Sequence, residues 1–273
     1  MHSLSSASQI VHHIHRGQIV MLRVPAPSAR LDRTQLEWGD ACCLMTPAFW
    51  AAQSWMWQLE EPDHYRLGHS LEEELMACLL GGYGIPAEVG IAAYHRLRSQ
   101  QRWHPELMMD ENRVEALLSE PLDIDGRSVR YRFARQKARY LSQALKGLAD
   151  IDLDLGDREL RDALCSLKGV GPKTASWIVR NWRGSDDVAI LDVHLMRAGR
   201  ELGLFRPEQC VVRHYREIEN AFVDFAKDIG AKASVLDSVI WMAFRSANRT
   251  NRSRNTLKRP ANNRQGELEL VPS

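Results

Sequence analysis

The chain has 273 residues, 44% of them hydrophobic, and 36 Lys and Arg against 35 Asp and Glu leave a net charge of +1. That length and apolar content support a full core and exclude an extensively disordered chain. A mean hydropathy of −0.36 and the lack of an apolar run near the roughly 18 residues of a membrane span exclude a helical membrane protein, and a pI near 7.7 argues mildly against a nucleic-acid partner.

In chain order, residues 1–69 read as an N-terminal extension packed on the rest. They hold strand-like pieces such as Gln18–Val24, then a patch of Trp38, Trp50, Trp55 and Trp57 broken by Pro47 and preceded by Pro25 and Pro27. His12, His13 and His15 have no Cys or carboxylate frame near them in sequence, so a polar segment is expected there and no metal site. From Ser70 the signals are helical. Ser70 with Glu73 makes a capping box for a helix through Leu80, and Pro86 suits the first position of a helix reaching about Arg102. Further helices are expected over Asn112–Ser119, Tyr131–Leu148, Asp157–Leu167, Pro172–Trp182, Asp192–Leu202, Val211–Asp228 and Ser234–Ala247. This divides the chain into an extension (1–69), a mostly α domain (70–247) with a hairpin of helices at 157–182, and a basic tail (248–273).

The charges are polarised although their sum is nearly zero. Acids crowd Glu60–Glu74, whereas Arg127, Arg130, Arg132, Arg135, Lys137 and Arg139 form an acid-free run, and a second basic stretch follows Arg245. The five cysteines, Cys42, Cys43, Cys78, Cys165 and Cys210, show no C-x-x-C spacing and read as reduced thiols. No metal is expected, and the N-terminal residues lack the basic-then-apolar pattern of a signal segment, so a soluble monomer of the cytoplasm or nucleoid, of bacterial type, is the expectation.

The segment richest in chemistry is Leu167–Ala175, where Gly169 and Gly171 permit a tight hairpin and Pro172 opens the next helix. Unpaired N–H groups at such a helix start suit a phosphate, although Gly-x-Gly alone fits any αα-hairpin. Lys173 follows at once, and Asp192 stands nineteen residues later within Leu191-Asp192-Val193-His194. This pattern resembles the helix-hairpin-helix DNA glycosylase superfamily, specifically its 8-oxoguanine DNA glycosylase/AP lyase branch, over about Ser70–Ala247.

The resemblance implies a mostly α helix-hairpin-helix fold of two helical subdomains with a short irregular N-terminal extension. It implies a bifunctional N-glycosylase and AP lyase that flips out and excises an oxidised guanine, 8-oxoguanine, from double-stranded DNA and then cuts the strand by β-elimination, with Lys173 as Schiff-base nucleophile and Asp192 as its electrostatic and proton-transfer partner. A Lys in the first turn of a helix, at the positive end of its dipole and partly buried, is placed to lose its proton. The base pocket would be formed by Asp237 reading the base edge, Trp241 stacking one turn later, and Trp177, where mammalian-type relatives have a small Cys. Gly169, Val170, Gly171, Thr174 and His194 would hold the DNA backbone, Arg132, Arg135 and Arg139 would track phosphates, and Tyr83 or Ile85 in the Gly-rich loop 81–88 would fill the gap left by a flipped base.

No cofactor is implied. The four-Cys iron–sulfur loop of the endonuclease III branch is absent, and a monovalent or divalent ion at the hairpin is compatible with the pattern but not required. Two alternatives stand: the same chemistry on another modified purine in foreign DNA, as an accessory defence enzyme, and a non-catalytic helix-hairpin-helix DNA-binding protein.

Overall fold

The computed structural model describes residues 7–60, 66–82, 84–100 and 104–257, with side chains through Arg245. Among the described residues it holds ten α-helices and two antiparallel two-stranded hairpins, a mostly α fold. The N-terminal part carries more regular structure than its Pro and Trp pattern suggests. Strands β1 (Gln9–His15) and β2 (Gln18–Val24) are joined by Arg16 and Gly17, both at positive φ, the turn whose twist matches a two-residue hairpin. Helix α1 (Pro47–Leu59) is capped by Thr46, whose hydroxyl accepts from the Phe49 N–H at 3.1 Å. The His13 and His15 rings both lie 3.4 Å from the Glu60 carboxylate at the end of α1, so a carboxylate is present after all. No group of three potential ligands among the described residues is arranged for a metal.

Helix α2 (Leu71–Leu80) starts at Ser70, whose hydroxyl accepts from the Glu73 N–H; Glu73 reaches back one residue further than a simple box, to the His69 N–H at 2.8 Å. Pro86 serves as N-cap of α3 (Ala87–Arg98), which ends short of the expected Arg102. After α4 (Glu111–Ser119), a hairpin absent from the sequence expectations pairs β3 (Leu122–Ile124) with β4 (Arg127–Val129) through Asp125 and Gly126, both at positive φ. It delays α5 to Ala134–Leu148, so the basic run is spread over a strand, a connection and a helix. Helices α6 (Asp157–Leu164), α7 (Pro172–Arg183), α8 (Val193–Glu201), α9 (Val211–Asp228) and α10 (Ala233–Leu257) complete the fold. Because α10 runs past Ala247, part of the expected tail is helical; residues 258–273 lie outside the described residues.

Two apolar cores form. One gathers α2 to α7, with Leu75, Met76, Leu97, Met108, Leu141 and Ile178 sealed inside. The other gathers α8, α9 and α10 with Leu31 and the indole of Trp50, so α1 belongs to this core. Each such aliphatic or aromatic side chain contributes roughly 1.5–3 kcal/mol. The chain passes from the first core to the second between Val188 and Ala189, in the segment that leads from α7 to α8.

Candidate active site

The hairpin between α6 and α7 is shaped by its glycines. Gly169 has φ +81°, and a Cβ there would lie 2.4 Å from the ring of Tyr140 on α5, so both conformation and space demand glycine. Gly171 differs: a Cβ would meet nothing within 4 Å, and the position is exposed. Val170 is 5% exposed and packs in the first core, and its N–H bonds the Leu167 carbonyl at 3.1 Å. It therefore anchors the hairpin from inside, and neither its side chain nor its N–H is offered to DNA. Gly171 caps α7 without a side-chain bond, which leaves the first-turn donors of Lys173 and Thr174 open to an anion.

Lys173 is half-buried in that first turn. Asp192 is the N-cap of α8, its Oδ1 accepting from the His194 and Leu195 N–H groups, each at 2.9 Å. Asp237 on α10 completes the group. It is 6% exposed, accepts from the Ile190 N–H, and leaves a buried Oδ2 with no hydrogen-bond partner. Burial pushes its carboxyl up to about 6; the Arg180 guanidinium opposes this, the Asp192 charge adds to it, and Lys173 opposes it again. Lys173, Asp192 and Asp237 thus share one electrostatic neighbourhood, contributed by α7, α8 and α10.

The pocket walls are placed more variously. Trp177 is half-buried one turn after Lys173, and its ring packs so closely on Gly81 that a Cβ there would lie 3.0 Å away. Trp241 is half-buried, with the Arg245 guanidinium 4.7 Å from its ring centroid; Arg245 also reaches Glu88 on α3 at 3.7 Å. One face of the Trp241 ring is therefore covered by Arg245. His194 is half-buried and stacks on Phe244 of α10 at 5.8 Å. Arg132, Arg135 and Arg139 are exposed, and Arg132 lies over the Phe133 ring at 5.2 Å. Ile85 packs against the first core, and Tyr83 lies outside the described residues.

Two features escaped sequence reasoning. Lys137 appeared only as one member of a basic run, yet its ammonium donates to the carbonyls of Leu79 (2.6 Å) and Gly81 (3.2 Å), and burial and the nearby Lys173 charge lower its pKa. Its spacing from the buried Leu141, Ala144 and Leu148 places it on the inward stripe of α5, a signal the count of charges hides. The second is buried Arg180, which donates to the Ser238 hydroxyl and to the Ser234 carbonyl (3.2 Å), tying α7 to α10 beside Asp237.

With this geometry in hand, likeness to known proteins is informative. Residues 64–231 match the Ogg-HhH family model, described as 8-oxoguanine DNA glycosylase. An 8-oxoguanine DNA glycosylase/AP lyase of Methanocaldococcus jannaschii is 35% identical over 128 residues, 45% of this chain and 61% of that protein. A protein of the same description from Saccharolobus solfataricus is 29% identical over 204 residues, 67% of this chain and 88% of that protein. Both are archaeal, so the bacterial source expected from the sequence finds no support in them. The solved structure of a trapped endonuclease III–DNA covalent intermediate aligns with TM-score 0.52 at 21% identity, over 70% of this chain and 81% of that one, a likeness of fold.

Proposed function

This chain belongs to the Ogg-HhH, or 8-oxoguanine DNA glycosylase, family, and on that premise we propose that it excises 8-oxoguanine from double-stranded DNA and then cuts the strand as an AP lyase. The observation that carries the reading is the grouping of Lys173 at the start of α7, Asp192 at the start of α8 and the partly unsatisfied Asp237 of α10 in one electrostatic neighbourhood. In the first step the Lys173 amine forms a bond to C1′ of the flipped nucleotide while the C1′–N bond breaks and the base leaves with that electron pair and a proton. Asp192, fixed by two backbone N–H groups, stabilises the positive charge developing at C1′. Ring opening leaves an imine between Lys173 and C1′. Loss of a C2′ proton then expels the 3′ phosphate, which breaks the strand.

Asp237 suits a guanine-type edge. Its free Oδ2, ionised above about pH 6, accepts from N1–H or from the exocyclic amine, donors that adenine does not present in that arrangement. The exposed start of α7 would hold a backbone phosphate, with Arg132, Arg135 and Arg139 as further cationic contacts. The chemistry is carried by the protein's own amine and carboxylates, so the reading requires no cofactor.

Borohydride trapping tests it. Wild-type protein with an 8-oxoguanine or abasic duplex is expected to give a covalent adduct that Lys173→Ala does not give; no adduct from wild type, or an undiminished one from the variant, ends the assignment. The same chemistry on another modified purine is favoured by one observation, the bulky Trp177 ring packed against Gly81 one turn after Lys173, where a small Cys stands in mammalian-type relatives. Excision measured across a panel of modified purines separates the two.

A further inference from the structure

Lys173 and Asp192 sit on different segments, and something must hold those segments in register. Glu219 of α9, which is 0% exposed, touches both. Its Oε1 accepts from the Ser176 hydroxyl at 2.9 Å, one turn after Lys173, and from the Ala189 N–H at 3.0 Å, three residues before Asp192. Tyr215, one turn earlier on α9, donates to the Ala189 carbonyl at 2.7 Å and lies 3.2 Å from the Ser176 hydroxyl. The other Glu219 oxygen pairs with the buried Arg161 guanidinium of α6. From Ala189 the chain reaches Asp192 through one tight turn, the Asp192 N–H bonding the Ile190 carbonyl at 2.7 Å.

A buried ion pair is an inefficient source of stability, since apolar replacements of similar volume are often as stable or more so. What this one supplies is direction. Both polar groups of Ala189 are fixed, and the same carboxylate fixes the helix face next to Lys173. Building on the glycosylase reading above, we propose that Tyr215 and Glu219 are positioning residues, which set the Asp192 carboxylate against the Lys173 amine by clamping Ala189 and Ser176 to α9. Misplacement of a reacting group by about 1 Å costs on the order of a hundredfold in rate, so loosening the clamp should slow chemistry far more than it weakens DNA binding.

The test compares two isosteric deletions of a buried tyrosine hydroxyl. Tyr215→Phe removes the bond to Ala189; Tyr94→Phe removes equivalent bonds to the Leu67 carbonyl (3.1 Å) and Glu73 (3.3 Å) in the first core, which touch neither Ala189 nor Ser176. Single-turnover excision at saturating enzyme, Kd for an uncleavable abasic-analogue duplex, and thermal melting are measured for each. Tyr215→Phe is expected to lower the single-turnover rate at least tenfold with Kd within twofold, while Tyr94→Phe keeps the wild-type rate within twofold. Glu219→Gln, which keeps an acceptor for Ser176 and Ala189, should retain several times more activity than Glu219→Leu. A wild-type rate in Tyr215→Phe overturns the inference, as does an equal rate loss in Tyr94→Phe or a loss explained by Kd. A wild-type chain that traps no adduct overturns the glycosylase reading itself, and this inference with it.

Discussion

The buried carboxyl of Asp237 makes stability and function pull in opposite directions, and Asp237→Asn exposes the conflict. In the unfolded chain this group titrates near its ordinary 3.8, and in the fold burial pushes it up to about 6 despite Arg180. Between those values the folded state holds a proton that the unfolded state has released, so stability falls as pH rises through this window. The shift is worth about 3 kcal/mol at about 1.36 kcal/mol per pH unit, a large share of a typical domain stability of roughly 5–15 kcal/mol. Asparagine mimics the protonated form in shape and charge. Equilibrium urea unfolding of both proteins from pH 4 to 8 should therefore give a difference, variant minus wild type, that climbs by about 2.3 kcal/mol between pH 4 and 6.5, the remainder of the shift falling mostly below pH 4, and is nearly level above. Titrating groups not coupled to Asp237 cancel in that difference, as does any constant offset from the amide. The same variant should lose roughly 10- to 150-fold in kcat/KM on the excised guanine lesion, the value of one charge-assisted hydrogen bond of about 1.5–3 kcal/mol. A stability difference flat across the whole pH range would refute the reasoning, because Asp237 would then be ionised in the fold at no cost.

Other expectations follow from the hairpin and the charge distribution. Gly169→Ala meets both a left-handed φ and the Tyr140 ring and should cost about 2–4 kcal/mol in chemical denaturation; Gly171→Ala, in open space, should leave stability within about 0.5 kcal/mol yet weaken duplex binding by holding a phosphate away. Equal midpoints for the two variants would contradict this. Because the acid-free run offers only a handful of exposed basics, Arg127, Arg130, Arg132, Arg135 and Arg139, and the net charge is only +1, the plot of log affinity against log salt should have a modest slope, about −3 to −5 at roughly −0.9 per phosphate. A slope corresponding to about ten phosphates, read from fluorescence anisotropy over a salt series, would contradict it.

The parts of the fold legible in the sequence are those written in local patterns. Ser70 and Asp192 are caps in the structure as their residue types and positions imply, and Pro172 opens α7. The Asp125-Gly126 turn was equally legible, preceded by the apolar alternation of Leu122–Ile124, but the acid-free basic run that begins at Arg127 masked it. Features set by tertiary contact could not be read so. Val170 lies within the hairpin motif but faces the core, Lys137 is a charge whose partners are carbonyls 56 and 58 residues away, and Glu219 bonds residues 30 and 43 positions off. Each has an unremarkable neighbourhood in sequence, and only packing assigns it a partner.

The nineteen-residue interval from Lys173 to Asp192 has a mechanical origin in this fold. From Lys173 the helix α7 carries the chain about 15 Å away, at roughly 1.5 Å per residue, until Gly184 turns it at φ +66°. Residues 184–191 then form no helix or strand, and eight residues reach at most about 28 Å when extended, enough to return along the helix with slack to spare. That slack is why the interval alone does not fix where Asp192 arrives. The surplus is taken up by specific bonds: Arg158 to the Asp187 carbonyl at 3.1 Å, Ser234 N–H to Asp186 at 2.9 Å, and the hold of Tyr215 and Glu219 on Ala189. Shortening the return segment would strip these bonds before it became too short to span the gap. Activity should therefore fail at smaller deletions than folding does, and single-residue deletions between Gly184 and Val188, assayed by trapping and by melting, would show whether the two losses separate.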